Sequence, residues 1–148
     1  MSTMTKEINS DYLLAGNPRT EADELLRLAS DIRASIRLRV AENLNTPDDA
    51  LLQLAADEDE DIRIAVAENP VCPDWLRAAI SRDDSPTVRY AIAEDWHTPS
   101  DILQALSEDE NAYVQHCAKR TLAAIDRSFR NSLTEAGFVQ IVALRGCA

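Results

Sequence analysis

Glycine is scarce in this chain, three residues in 148, and alanine and leucine are abundant, a balance that favours helix over strand. No apolar run approaches the length needed to cross a membrane. The first nine residues lack the apolar segment of a signal peptide, so the expected compartment is the cytosol. Cysteine is limited to Cys72, Cys117 and Cys147, an odd number without C-x-x-C spacing, which argues against a disulfide framework and a zinc knuckle. Positive charge is also short: 15 Lys and Arg against 26 Asp and Glu leave a net charge of −11. Repulsion from phosphates then disfavours nucleic acid and anionic membrane surfaces as partners. Hydrophobic residues still make up 45 %, which suits one folded domain with a sizeable core.

What the chain does have is a repeat with a period of 26 residues. Ile36-Arg37-Leu38-Arg39-Val40-Ala41-Glu42-Asn43 returns as Ile62-Arg63-Ile64-Ala65-Val66-Ala67-Glu68-Asn69, and again as Val88-Arg89-Tyr90-Ala91-Ile92-Ala93-Glu94-Asp95. Such a period marks a stacked solenoid, in which each unit buries its apolar face against its neighbours. Units start at Ser10, Ile36, Ile62, Val88 and Val114. Positions one and five are apolar and share one face of a first helix, B, while alanine at position six (Ala15, Ala41, Ala67, Ala93) lets a neighbouring helix approach. Helix B ends near Asn17, Asn43, Asn69 or Asp95.

A second helix, A, is expected to begin at Thr46-Pro47 and Thr98-Pro99, with threonine as N-cap and proline at the first helical position; Cys72-Pro73 fills the same columns. Its apolar stripe includes Leu25, Leu28, Leu51, Leu54, Leu76, Ile80, Leu103 and Leu106. An acidic loop with Asp31, Asp57, Asp83 and Asp109 in one column returns to the next helix B, for which Asp59, Ser85 and Asn111 are N-cap candidates. The fifth unit reads as a cap: a longer amphipathic helix runs to about Leu133, Gly137 interrupts it, and Phe138 to Leu144 form a short apolar tail. The expected organisation is therefore a flexible terminus at 1–9, a solenoid at 10–124 and a C-terminal cap and tail at 125–148.

The stretches Ile62 to Pro70 and Asn45 to Asp57 resemble the leucine-rich repeat variant family, a bacterial relative of HEAT and armadillo solenoids. The likeness runs over about residues 10–124. It implies an all-α, right-handed superhelix of about five paired short helices, and for function only a generic binding surface. The unit here is somewhat longer than the family's usual one. Some such chains carry an N-terminal cysteine cluster for an iron–sulfur centre; no cysteine precedes Cys72, so no cofactor is expected.

Arg37, Arg63 and Arg89 recur at position two, each unit also carrying Asp57, Asp83 or Asp109 at a fixed distance. These arginines could bind anions, but their recurrence favours a structural charge ladder joining loop to helix. Asp57 to Asp61 superficially fits calcium-loop spacing, yet Ile62 stands where the loop needs glycine, so no metal is expected. Residues that break the repeat are better candidates for binding: Trp75, Tyr90, Trp96, His97, His116 and Cys117, with Glu94 added by its spacing from Tyr90. Tyr90, Glu94 and His97 are spaced to share one side of helix B, and His116 occupies Tyr90's column one unit on, so stacking would bring them near each other. They could form an aromatic and histidine patch, or Tyr90 could simply fill a half-buried column and Trp96 cover a seam. His116 and Cys117 are adjacent on a helix, point apart and do not make a catalytic dyad.

Three functions follow from these readings. The chain could be a non-enzymatic scaffold that binds another protein with a basic surface. It could bind a small ligand, or catalyse, at the Tyr90/Trp96/His97/His116 patch. Nucleic-acid binding would need a basic groove, for which only Lys119, Arg120, Arg127 and Arg130 offer a start.

Overall fold

The structure, a computed structural model, describes residues 10–145, with side chains as far as Ser132. Among the described residues every regular element is an α-helix: α1 (10–15), α2 (Ala22–Leu28), α3 (Ala34–Ala41), α4 (Asp48–Leu54), α5 (Glu60–Glu68), α6 (Asp74–Ile80), α7 (Pro86–Glu94), α8 (Ser100–Leu106) and α9 (Ala112–Arg145). The odd-numbered helices are the B helices of successive units and the even-numbered ones the A helices. The flexible terminus expected at 1–9 lies outside the described residues.

The columns become the core. Position one (Ile36, Ile62, Val88, Val114), position five (Val40, Val66, Ile92) and alanine six (Ala15, Ala41, Ala67, Ala93) are all buried. From the A side Leu25, Leu28, Leu51, Leu54, Leu76, Ile80, Leu103 and Leu106 close the same continuous core. Helices of seven to nine residues are too short to be stable alone, so this burial between units is what holds them helical. The B helices stack α3 on α5, α5 on α7 and α7 on α9. Alanine at position six permits that approach, and the A helices touch one another much less.

The helix starts divide into two kinds. For the B helices, Asp59 accepts from the Asp61 amide, Ser85 from the Thr87 amide, and Asn111 from the Tyr113 amide. The A helices are different. Pro47 and Pro99, not the threonines, occupy the N-cap positions, and no side chain caps them. The threonines face backwards instead. Thr20, Thr46 and Thr98 donate from Oγ1 to the carbonyls of Leu14, Val40 and Ile92, six residues earlier, at 2.7, 2.6 and 3.0 Å. They add a donor to the last turn of the preceding B helix, where the Leu14 and Val40 carbonyls also accept from the Asn17 and Asn43 amides.

The last helix also departs from expectation. Gly137 does not interrupt it: α9 is helical from Ala112 to Arg145, 34 residues. A single glycine inside a strong helical pattern costs only about 1 kcal/mol, which its neighbours outweigh. The side chains of the expected apolar tail, Phe138 to Leu144, lie outside the described residues.

Candidate binding site

Two ladders run through the stack. In the first, Arg37 donates from Nε and Nη2 to both carboxylate oxygens of Asp57, at 2.6 and 3.0 Å. Arg63 grips Asp83 and Arg89 grips Asp109 in the same way. The third nitrogen, Nη1, donates to the backbone carbonyls of Asp31, Asp57 and Asp83 in turn. Each aspartate also accepts from the amide two residues on, which closes the turn into the next B helix. Burial pushes the Asp57 and Asp83 carboxyls up, but the arginine and amide donors outweigh it and hold both below their ordinary range. Asp109 is held down chiefly by Arg89. In the first unit the arginine column holds Asp11, and Arg33 bridges it to Asp31 instead. Arg33 lowers the Asp31 carboxyl to about 2. All three side-chain nitrogens of Arg37, Arg63 and Arg89 donate to protein oxygens, so these three have little left to offer an anion.

The second ladder was not anticipated. Asn43 Nδ2 donates to the carbonyls of Ala15 and Asn17, and Asn69 Nδ2 to those of Ala41 and Asn43. Asp95 stands next in this column and has no amide to give. Arg77 does the work instead: its Nη1 donates to the Ala67 carbonyl and to Asp95 Oδ2, both at 2.8 Å, and its Nη2 reaches the Asn69 carbonyl. Arg77 itself stands in the leucine column of helix A, between Leu51 and Leu103, and its side chain is 6 % exposed. In the fifth unit Thr121 takes the asparagine's place and donates to the Ala93 carbonyl. The signal was in the sequence: an arginine in a buried leucine column and an aspartate in an asparagine column, 18 residues apart.

Next to this pair, between α5 and α7, lies a cavity of about 450 Å³ lined by Glu68, Pro70, Arg77, Ala91, Glu94, Asp95 and His97. Two of the residues singled out by sequence, Glu94 and His97, therefore meet here. His97 is fixed by Asp95, which accepts both from its amide at 2.9 Å and through Nδ1 at 3.1 Å. Trp96 lies against His97 with ring centroids 3.9 Å apart and the planes tilted by 39°, and is 68 % exposed.

Tyr90 and His116 do not join this group. Tyr90 is half-buried against the core, and the Cys117 thiol, then Glu94, push its phenol above the usual range. Among the described residues no hydrogen bond, ion pair or ring contact links His116 to Tyr90, Trp96 or His97. His116 is exposed while Cys117 is buried, so the two face different ways. Burial also pushes the Cys72 thiol up, which makes it a poor nucleophile. Among the described residues no three His, Cys, Asp or Glu side chains converge to hold a metal ion; Asp57 and Asp59 of the acidic run are engaged with Arg37 and the Asp61 amide. None of the helices, over the described residues, is long and apolar enough to cross a membrane.

The edge where B helices exit towards A helices carries further apolar side chains in view of solvent. Leu44, Val71, Trp75 (54 % exposed) and Trp96 all lie there, in the second to fourth units.

Comparison with curated proteins and with solved structures finds no match. A family match does exist, to the family described as leucine rich repeat variant, over residues 34–59. That segment runs from the start of α3, through α4, to the N-cap of α5, one full period of the stack. The resemblance read from the repeat columns is borne out over that segment, and the chain is a helical-repeat protein of which one period matches the leucine rich repeat variant family.

Proposed function

We propose that this chain is a non-enzymatic scaffold that binds another protein along the edge where the B helices of units three and four exit. The observation that carries the reading is Trp75 and Trp96, both more than half exposed on that edge. The stack does not need them there: the matching columns elsewhere hold Asp49 and Asp101 for Trp75, and Leu44 and Pro70 for Trp96. Exposed tryptophans with apolar neighbours are the residues that anchor protein interfaces. Glu68 and Glu94 line the cavity that includes His97, against which Trp96 lies, and the whole chain carries a net charge of −11, so a partner with a basic surface fits best. The same acidity speaks for a protein over a nucleic acid.

Affinity capture from source lysate with the full chain tests this, using Trp75→Ala/Trp96→Ala against Ile32→Ala as a control on the opposite, A-to-B edge. Ile32 is 94 % exposed, so its loss removes a comparable apolar surface. The expected result is a captured protein lost with the tryptophans and kept by the control. Equal capture by all three chains would remove the edge from consideration.

A further inference from the structure

The first inter-unit groove, between α1 and α3, is filled from within. Arg39, at position four of the second unit, lays its guanidinium over the Tyr12 ring, with Cζ 5.0 Å from the centroid. The guanidinium also lies close over Gly16, where an added Cβ would lie 2.8 Å from Nη2. Nη1 reaches Glu42, one turn on, at 3.3 Å. The chain thus shows what its groove accepts: a flat cation held by the glutamate at position seven.

The groove between α5 and α7 keeps the glutamate of position seven but has Ile64 in Tyr12's column and Glu68 in that of Gly16, and no side chain of the unit occupies it. Position four is Ala91 in place of Arg39, which leaves the cavity of about 450 Å³ open. Position seven of both flanking helices is glutamate, Glu68 on α5 and Glu94 on α7, where the first groove has Gly16 and Glu42. Glu68 has no ion pair or hydrogen bond among the described residues, and Glu94 has only a long, exposed one with Arg120 at 3.5 Å. The positive charge of Arg77 at the cavity floor is already matched by Asp95. The walls that remain are Pro70, Ala91 and the His97 ring, apolar or aromatic surface suited to the stem and plane of an arginine. We infer that this groove takes an arginine side chain of the partner protein, bound between Glu68 and Glu94 as Arg39 is bound beside Glu42. The inference deepens the scaffold reading and rests on it: the tryptophan edge would hold the partner, and this groove would select a basic residue within it.

An amide NMR titration of the full chain with acetyl-Gly-Arg-Gly-amide tests the site directly, with the citrulline peptide as an uncharged match. The expected result is saturable shifts confined to Glu68, Ala91, Glu94 and His97 at a Kd of about 1–10 mM, at least tenfold weaker for citrulline. Ala91→Arg, which copies Arg39, is expected to fold and to abolish the shifts. If that variant does not fold, Glu68→Gln/Glu94→Gln, which changes only exposed side chains, decides by the same loss. Equal shifts with citrulline, shifts scattered over the acidic surface, or binding unchanged in these variants would overturn the inference. Partner capture that survives those results leaves the tryptophan edge standing. Peptide binding in a chain whose capture ignores Trp75 and Trp96 would remove the edge and keep the groove.

Discussion

Arg77 and Asp95 each violate a column, and each violation supplies what the other lacks. A buried arginine without a carboxylate, or a carboxylate without its arginine, leaves an uncompensated charge. Asp95→Asn alone should therefore destabilise the chain by about 2–4 kcal/mol in urea unfolding. Arg77→Leu alone should cost a similar amount, since the carbonyls of Ala67 and Asn69 lose their donor as well. The double change puts leucine in the leucine column and asparagine in the asparagine column, as in units two and three. It should recover most of the loss, with a coupling of about 2 kcal/mol or more. Costs that merely add would mean that the two residues do not compensate each other. The same pair forms one wall of the cavity between α5 and α7, so the double change should also alter that cavity.

At the scale of the helix, the threonine that precedes each A helix belongs energetically to the B helix behind it. Thr46→Val keeps the shape but leaves the buried Val40 carbonyl with the Asn43 amide and without the shorter hydroxyl bond, and should cost about 1 kcal/mol. Cys72 fills this column in the third unit, and its thiol makes only a long hydrogen bond to the Pro73 carbonyl at 3.8 Å. Cys72→Thr should thus raise stability by about 0.5–1 kcal/mol, measured by the same urea midpoints; a chain made less stable would show that threonine is not the better donor there. This detail also shows where the sequence stops being legible. The period, the buried columns and the B-helix caps could be read, because each depends on residues in one unit or on a pattern repeated in every unit. Thr-Pro before a helix, by contrast, reads alike whether the hydroxyl points forwards or backwards. The spacing of Glu94 and His97 placed them on one side, and both line the cavity, but it also promised His116 a place beside Tyr90. Column identity gives only the axial position of a side chain; whether two side chains meet depends on what separates them, and there Cys117 takes the contact with Tyr90. The arginine in the first groove was hidden for a related reason: it needs Gly16, Tyr12 and Glu42 from two units at once, and no single column records that.

Across the whole molecule, the arginine–aspartate ladder makes stability a function of acid. Asp31, Asp57, Asp83 and Asp109 all have folded-state values below the ordinary 3.8, and Asp31 lies at about 2. Since folding lowers these values, the unfolded chain takes up the protons first. The ladder's stabilisation is then complete above about pH 5 and is lost as pH falls through the folded-state values towards 2, with a slope of roughly 1.4 kcal/mol per pH unit for each proton taken up. Because each arginine grips the loop aspartate of its own unit and, through Nη1, the loop carbonyl of the unit before, the rungs should fail together, as one cooperative acid transition in helical circular dichroism. Arg63→Ala separates this cause from general charge repulsion. It removes the donor pair on Asp83, and should cost about 2–3 kcal/mol at pH 7. It should also let Asp83 titrate nearer its ordinary value, so that the acid limb of the stability curve becomes shallower by up to one proton. Arg82→Ala, which changes the net charge equally but removes an exposed residue outside the ladder, should leave that limb unchanged. If Arg63→Ala and Arg82→Ala gave acid limbs of the same steepness, the aspartates of the ladder would not be what acid unfolds.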